Sequence, residues 1–456
     1  MSSLSVKLWW PLGLIVAAYL VVGGLYAWQT PAWQAPDEPA HYNYVAQLAA
    51  GQLPVMEPDD YDEVFRNTAV SSGFAPEHDV TRLTYEDWQP PLYYLLQTPV
   101  YWLTGGSLLA MRLFSLLLGA GVVVLAYLIG RQFFGAGREW LALTTAVFVA
   151  FVPQHTAIMA SVNNDSLAEL LIAAIILLLL KSLNAETQRR RGKEKEPSLS
   201  TSYFPLLMIG FLLGLGYLTK GTVYPLSFLV AGYLIWRYWG DWPGLVRAGL
   251  LVFGVALLLG SLWWGRNLLI YDGFDPFATI AHDQAVVGQT RTAEWIETYG
   301  VTETIRRFGQ TTFNSFWGQF GWMALPMTHP AWLYPLLGLF TLVVVAGLVW
   351  QGVRQWGAWR SDVWLLLGVV GLATAVHVGY NLTYVQHQGR YLFPALIPFG
   401  VGVAAGLWVW IRPLLSQLPL PENSKPYAPY LLPLGLGLAL LLLNLHAIFR
   451  IIGPHL

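Results

Sequence analysis

Runs of about twenty apolar residues recur from one end of this 456-residue chain to the other. Each is long enough to cross the hydrocarbon core of a bilayer as a helix. In that solvent every backbone N–H and C=O must be satisfied within the protein, so only helices and closed barrels span it, and unbroken runs of this length select helices. Composition agrees: 55% of residues are hydrophobic and only 11% are charged, less than half the charge of an ordinary soluble domain. There are no cysteines, which excludes a disulfide framework and a thiolate metal site. The net charge of −1 singles out no partner, and no nucleic-acid partner is expected. The chain reads as an all-α polytopic membrane protein, one integral membrane domain over residues 1–456.

Spans are predicted near 8–28, 107–131, 139–160, 166–183, 203–219, 221–238, 247–265, 331–351, 363–381, 391–411 and 431–449, about eleven in all. The first has a charged start like a signal peptide, but no A-x-A-like site follows, and it reads as a retained helix. The segment 90–106 is apolar but short and carries Pro99. Basic residues concentrate on the cytoplasmic side of membrane proteins. If 90–106 does not cross, Lys7 falls on one side together with Arg131, Arg138, Arg237, Arg247, Arg354, Arg360, Arg412, Lys425 and the run from Lys181 to Lys195. The segment is therefore predicted to be re-entrant or interfacial. Two large outward loops follow, 29–106 and 266–330, both with helix-like pieces, and a basic cytoplasmic linker at 184–202. Absent cysteines and the style of the motifs point to a bacterial plasma (inner) membrane, with the outward loops facing the periplasm or cell exterior.

That topology gathers the unusual polar residues on one face. Asp37, Glu38 and His41 follow the first span, and Glu86–Pro91 closes the first loop. Asp165 lies in the turn after the third span, Lys220 in the turn after the fifth, Arg266 after the seventh, and Gln388 and Arg390 before the tenth. An acid at a membrane surface can take a proton from an acceptor within hydrogen-bond reach. Isolated cations suit an anion such as a phosphate leaving group. A base, a phosphate clamp and lipid access together suggest transfer of a group from a lipid phosphate to an acceptor outside the membrane.

These segments resemble the GT-C membrane glycosyltransferases, in particular the branch of protein O-mannosyltransferases and aminoarabinose transferases. The matching features are Asp37-Glu38 after the first helix, the P-P-L-Y-Y stretch from Pro90 to Tyr94, "MRLFSLLLGAG" from Met111, Asp165 and "LTKG" around Lys220, while "FWGQFGWM" from Phe316 and "QGRYLFPAL" from Gln388 resemble a less studied bacterial group of the same superfamily. The resemblance implies a GT-C-like bundle with juxtamembrane helices in its outer loops. It also implies inverting transfer of a sugar from a polyprenyl-phosphate sugar, with Asp37 as base and Glu38 and Asp165 as further catalytic acids. Lys220, Arg266 and Arg390 would bind the donor phosphate, while His41, Gln89 and Gln388 would orient the base or the acceptor. Gln89 stands where the aminoarabinose enzymes carry a Lys. The acceptor can be a protein, a lipid or a glycan, and membrane lipids are the surrounding partner. No cofactor is assigned; a divalent metal on Asp37, Glu38 and His41 is one alternative. A flippase of lipid-linked sugars and a ligase or polymerase using a diphosphate-linked glycan are the rival functions.

Each residue also has a plainer reading. Asp37-Glu38-Pro39 could merely start a helix, with Asp37 as its cap. His41 could orient the base, join a metal or bond a loop carbonyl. "NNDS" around Asp165 is an ordinary cap for the next span. Lys220, Arg266 and Arg390 could snorkel to headgroups. The aromatics of "SFWGQFGW" could stack on a sugar or simply pack.

Overall fold

The computed structural model describes residues 9–190, 199–354 and 360–456. Lys7 and the basic residues Arg191, Lys193 and Lys195 lie outside the described residues. The fold is all-α apart from a two-residue antiparallel pairing of Gln319–Phe320 with Leu325–Pro326. Among the described residues, eight helices are long and apolar enough to span a bilayer, and a ninth span results if the bent pair Glu139–Phe151 and Pro153–Met159 is counted as one. The helices Leu199–Tyr217 and Leu226–Arg237 fall where two more spans are expected but do not meet that measure. All eleven predicted spans thus coincide with helical segments, while length and apolarity alone support eight or nine.

The differences from expectation have local causes. The predicted span 139–160 bends by 65° because Pro153 cannot donate to the helical ladder. The span predicted to stop at 183 continues to Arg190, where Arg189 reaches back 2.9 Å to Glu186 one turn earlier, so the first part of the expected linker 184–202 is helix. The segment Leu92–Thr104 is a helix of 13 residues, about 20 Å long at 1.5 Å per residue. That is too short to cross, so it lies against Glu38–Ala49 as a juxtamembrane helix.

Glu139–Phe151 forms the centre of the bundle. Every residue from Leu141 to Phe151 is buried, as suits a helix apolar on all sides. It packs against Leu108–Phe134, Leu396–Gln417 and Leu431–His446. Lipid offers apolar side chains no reason to associate, so close backbone contact has to hold such helices together. Gly347 and Gly406 supply it between Leu333–Arg354 and Leu396–Gln417: a Cβ on Gly347 would lie 2.2 Å from the Gly406 carbonyl oxygen.

Chain direction alternates through this bundle, so the same ends recur together. The starts of Leu108–Phe134, Asp165–Arg190 and Leu226–Arg237 and the ends of Trp9–Gln29, Leu199–Tyr217 and Ser361–Asn381 share one end. The juxtamembrane helices of both large loops cover that end. Arg131, Arg354 and Arg360 lie at the other, where Arg360 donates to the Phe133 carbonyl at 2.7 Å.

Candidate functional site

At the covered end the loop after the first helix turns sharply. Asp37 adopts a left-handed backbone (φ 66°), which non-glycine residues rarely hold without a compensating role. It precedes the Glu38–Ala49 helix, in which Pro39 occupies the first turn as expected. The Asp37 side chain makes no capping bond. Its carboxylate instead accepts from Arg390 Nη2 at 2.6 Å and from the Tyr85 hydroxyl at 3.1 Å. The plain capping reading of Asp37 therefore fails on geometry.

Arg390 sits on the short turn Gly389–Ala395 ahead of Leu396–Gln417. Gly389 is what brings it there. A Cβ at that position would meet the Thr312 carbonyl oxygen at 2.3 Å and the Phe316 nitrogen at 2.4 Å, so only glycine lets the turn lie on the Val301–Trp317 helix. A second ion pair stands beside the first. Asn163 accepts from the Asp165 backbone N–H, leaving the Asp165 carboxylate to take Lys220 Nζ at 2.6 Å. The Lys220 turn is fixed in turn by Leu92, whose N–H donates to the Leu218 carbonyl.

The two pairs line one cavity of about 540 Å³, within the range of small-molecule sites. His41, Gln89 and Gln388 line it too, so seven of the residues singled out by sequence converge. From its polar end the cavity continues as an apolar groove past Ile172, Leu226, Val369 and Ala373, between three of the bundle's helices. Toward the loops it is bounded by Trp88, whose ring lies 4.7 Å from His282, and by Trp322 and Met323. "SFWGQFGW" is thus divided in use: Trp322 faces the cavity, while Trp317 and Phe320 are buried in the core.

Charge sets the protonation of the loop groups. Burial works to raise the Asp37 carboxyl, but the Arg390 guanidinium, with Lys220 beyond it, holds it below the usual carboxylate value. Burial, with Lys220 nearby, pushes His41 down to about 3, so the ring is neutral, and its Nδ1 lies 2.9 Å from the Tyr94 hydroxyl. Burial and then the Asp37 charge lift Glu86 to about 8. Glu86 accepts from Gln89 Nε2 at 2.9 Å.

Two expected site residues lie elsewhere. Glu38 is fully buried and does not line the cavity. Its carboxylate takes Arg112 Nε at 2.7 Å and Nη2 at 2.5 Å, plus the N–H groups of Trp33 and Val162. This full coordination turns it away from the cavity, in the surroundings of a structural anchor. Arg266 stacks on Trp263 and Tyr271 and donates to the Pro54 carbonyl, so it pins the first loop to the top of Trp242–Ile270 outside the cavity. With Glu38 turned away, the set Asp37, Glu38 and His41 cannot converge on a metal, and among the described residues no group of three or more His, Asp or Glu is placed to hold one. Sequence reasoning passed over Glu86, Tyr85 and Arg112 as individual residues. An Arg near the start of an otherwise apolar span is itself a signal, since such a charge needs a partner.

Residues 66–398, most of the chain, match the family described as "Predicted membrane protein (DUF2142)". The chain belongs to that family. Comparison with curated proteins finds no match for this DUF2142 member. Among solved structures it is similar to ArnT from Cupriavidus metallidurans bound to undecaprenyl phosphate, with 16% identity, a TM-score of 0.54, and 97% of this chain and 73% of ArnT covered. It is similar also to the Archaeoglobus fulgidus oligosaccharyltransferase, with 14% identity, a TM-score of 0.55, and 94% of this chain and 55% of that enzyme covered. This member therefore spans about half the length of the archaeal enzyme. These likenesses establish a GT-C fold for the DUF2142 chain.

Proposed function

We propose that this protein is an inverting glycosyltransferase that moves a sugar from a polyprenyl-phosphate donor to an acceptor on the outer side of the plasma membrane. One observation carries the reading: a carboxylate freed from capping its helix is ion-paired to an arginine where an apolar groove meets a polar cavity. The fold it shares with an enzyme solved with undecaprenyl phosphate adds support. The lipid chain lies in the groove past Ile172 and Val369, and its phosphate takes Arg390 and Lys220. That exchange draws Arg390 from Asp37 and leaves the carboxylate free to act. Asp37 accepts the proton of the acceptor hydroxyl or amine. The acceptor atom attacks the anomeric carbon from the face opposite the phosphate, the anomeric C–O bond breaks, and polyprenyl phosphate departs with the electron pair. The neutral His41 orients the base or the acceptor, and Asp165 positions Lys220.

The outward orientation rests on the basic residues gathered at the far end of the bundle, which the positive-inside rule assigns to the cytoplasm. A flippase would place its key charges near the bilayer midplane at broken helices, whereas Asp37, Lys220 and Arg390 lie at the covered end. Two cations suit a monophosphate donor better than a diphosphate one. The test is purified protein in lipid nanodiscs, offered a panel of polyprenyl-phosphate sugars with membrane-extract acceptors, while mass spectrometry follows free polyprenyl phosphate. Release above an empty-disc control is expected for at least one donor, and no release from any donor would reject the reading.

A further inference from the structure

Four buried polar atoms of residues lining the cavity have no partner within the protein: the Tyr61 hydroxyl, Oε1 of Gln89, Oε1 of Gln388 and Nε of Arg390. Buried polar groups are almost always bonded, so an unpartnered set lining one cavity marks where a ligand supplies the missing partners. The two amides are oriented by their nitrogens. Gln89 donates to Glu86 at 2.9 Å, and Gln388 donates to Gln386 at 3.0 Å. Each carbonyl oxygen is left as an acceptor, and Gln89 is only 5% exposed. A phosphate offers these oxygens nothing, because it is an acceptor itself. They lack a donor, and a hydroxyl group, of which a sugar carries several, is one.

The position of the pair locates that hydroxyl. Glu86 and Gln89 line the same cavity as Asp37, Lys220 and Arg390, so the Glu86–Gln89 bond presents the Gln89 amide to the space that the proposed phosphate site shares. Gln388 is two residues from Arg390 on the same turn. We infer that Gln89, positioned by Glu86, and Gln388 read hydroxyl groups of the sugar attached to the phosphate, and that the site takes a neutral, hydroxylated sugar. The inference rests on the proposed function. A sugar carboxylate would face Asp37, and a sugar ammonium would lie near Lys220 and Arg390. Burial favours the protonated form of Glu86, and the amide of Gln89 that it holds is uncharged, so this part of the cavity complements neither charge.

Equilibrium binding separates this inference from the catalytic reading. The protein in nanodiscs is titrated with short-chain polyprenyl-phosphate glucose, mannose and galactose, with their monodeoxy analogues, with an amino-sugar counterpart and with sugar-free polyprenyl phosphate. The wild type is expected to favour one hydroxylated sugar over a deoxy analogue by about tenfold or more, since a site built to bond a hydroxyl rejects the analogue lacking it. Gln89→Met should reduce that ratio below about threefold while binding sugar-free polyprenyl phosphate as the wild type does. Retained sugar-free binding also shows that the variant is folded, and Gln388→Met carries the same test if Gln89→Met is not. Unchanged hydroxyl selectivity in both variants, or preference for the amino sugar, would overturn the inference and leave the donor reading standing. No binding of sugar-free polyprenyl phosphate by the wild type would overturn the donor reading, and this inference with it.

Discussion

Glu38→Gln should give a phenotype opposite in kind to that of its neighbour Asp37. Arg112, with its side chain 4% exposed, donates twice to Glu38 and also to the carbonyls of Ala27, Thr30 and Pro31. It thereby ties the Leu108–Phe134 helix to the end of Trp9–Gln29 and to the loop that delivers Asp37. Removing one partner of a buried pair costs about 3–5 kcal/mol. The three carbonyls remain, and a glutamine oxygen can still accept from Trp33 or Val162, so the lower end applies, about 3 kcal/mol. At about 1.4 kcal/mol per factor of ten, the half-life of the folded protein falls by up to roughly 150-fold. The assay is the decay of the monodisperse peak in mild detergent at fixed temperature, where irreversible loss reports the unfolding rate. Asp37→Asn should stay within about threefold of wild type, because its amide oxygen can still accept from Arg390 while the Tyr85 hydroxyl turns to accept from its amide nitrogen. A Glu38→Gln protein with wild-type half-life but no turnover would refute the structural assignment and return Glu38 to the chemistry.

The remaining predictions concern the cavity and its supports. Lys220→Met should weaken binding of sugar-free polyprenyl phosphate by about tenfold or more, whereas Arg266→Met should leave it within about threefold; equal losses would place Arg266 in the site. Gly389→Ala must displace backbone on the Val301–Trp317 helix, so it should cost about 1–3 kcal/mol and lower donor affinity by moving Arg390; wild-type thermal stability and affinity would contradict the contact. Glu86 and Asp87 are both raised by burial to about 8, so between the ordinary carboxylate range and about pH 8 the folded state holds protons that the unfolded state has lost. Stability from these two groups is therefore present at low pH and lost as pH rises toward 8. Glu86→Gln and Asp87→Asn should each flatten the pH dependence of detergent half-life over that window, and an unchanged profile would mean that neither acid is held protonated.

The spans were legible because bilayer solvent imposes one signal, apolar length, wherever the chain crosses. The break at Pro153 was legible too, in hindsight, from proline alone. Asp37, Asp165, Lys220 and Arg390 could be singled out because charged residues beside apolar runs are few, and the alternating topology puts them at one end. What sequence could not resolve was which of two adjacent acids faces the cavity. Asp37 and Glu38 differ in direction because Asp37 turns through a left-handed backbone just before the helix begins. Glu38 then points down to Arg112, 74 residues later, a long-range pairing that local pattern does not encode. Arg266 misled for a related reason. Its position at the top of a span suits a phosphate ligand, but Trp263, Tyr271 and the Pro54 carbonyl already occupy it. Glu86 escaped notice because its significance lies in burial beside Asp37, which only the folded loop creates.

The most direct test of the account compares wild type and Asp37→Asn in nanodiscs under single-turnover conditions, measuring both donor binding and release of polyprenyl phosphate. Asp37→Asn is expected to bind donor but release polyprenyl phosphate at least about a hundredfold more slowly, the low end of a general base's contribution. Release at the wild-type rate by a variant that binds donor would contradict it, and the proton would have to go elsewhere than Asp37.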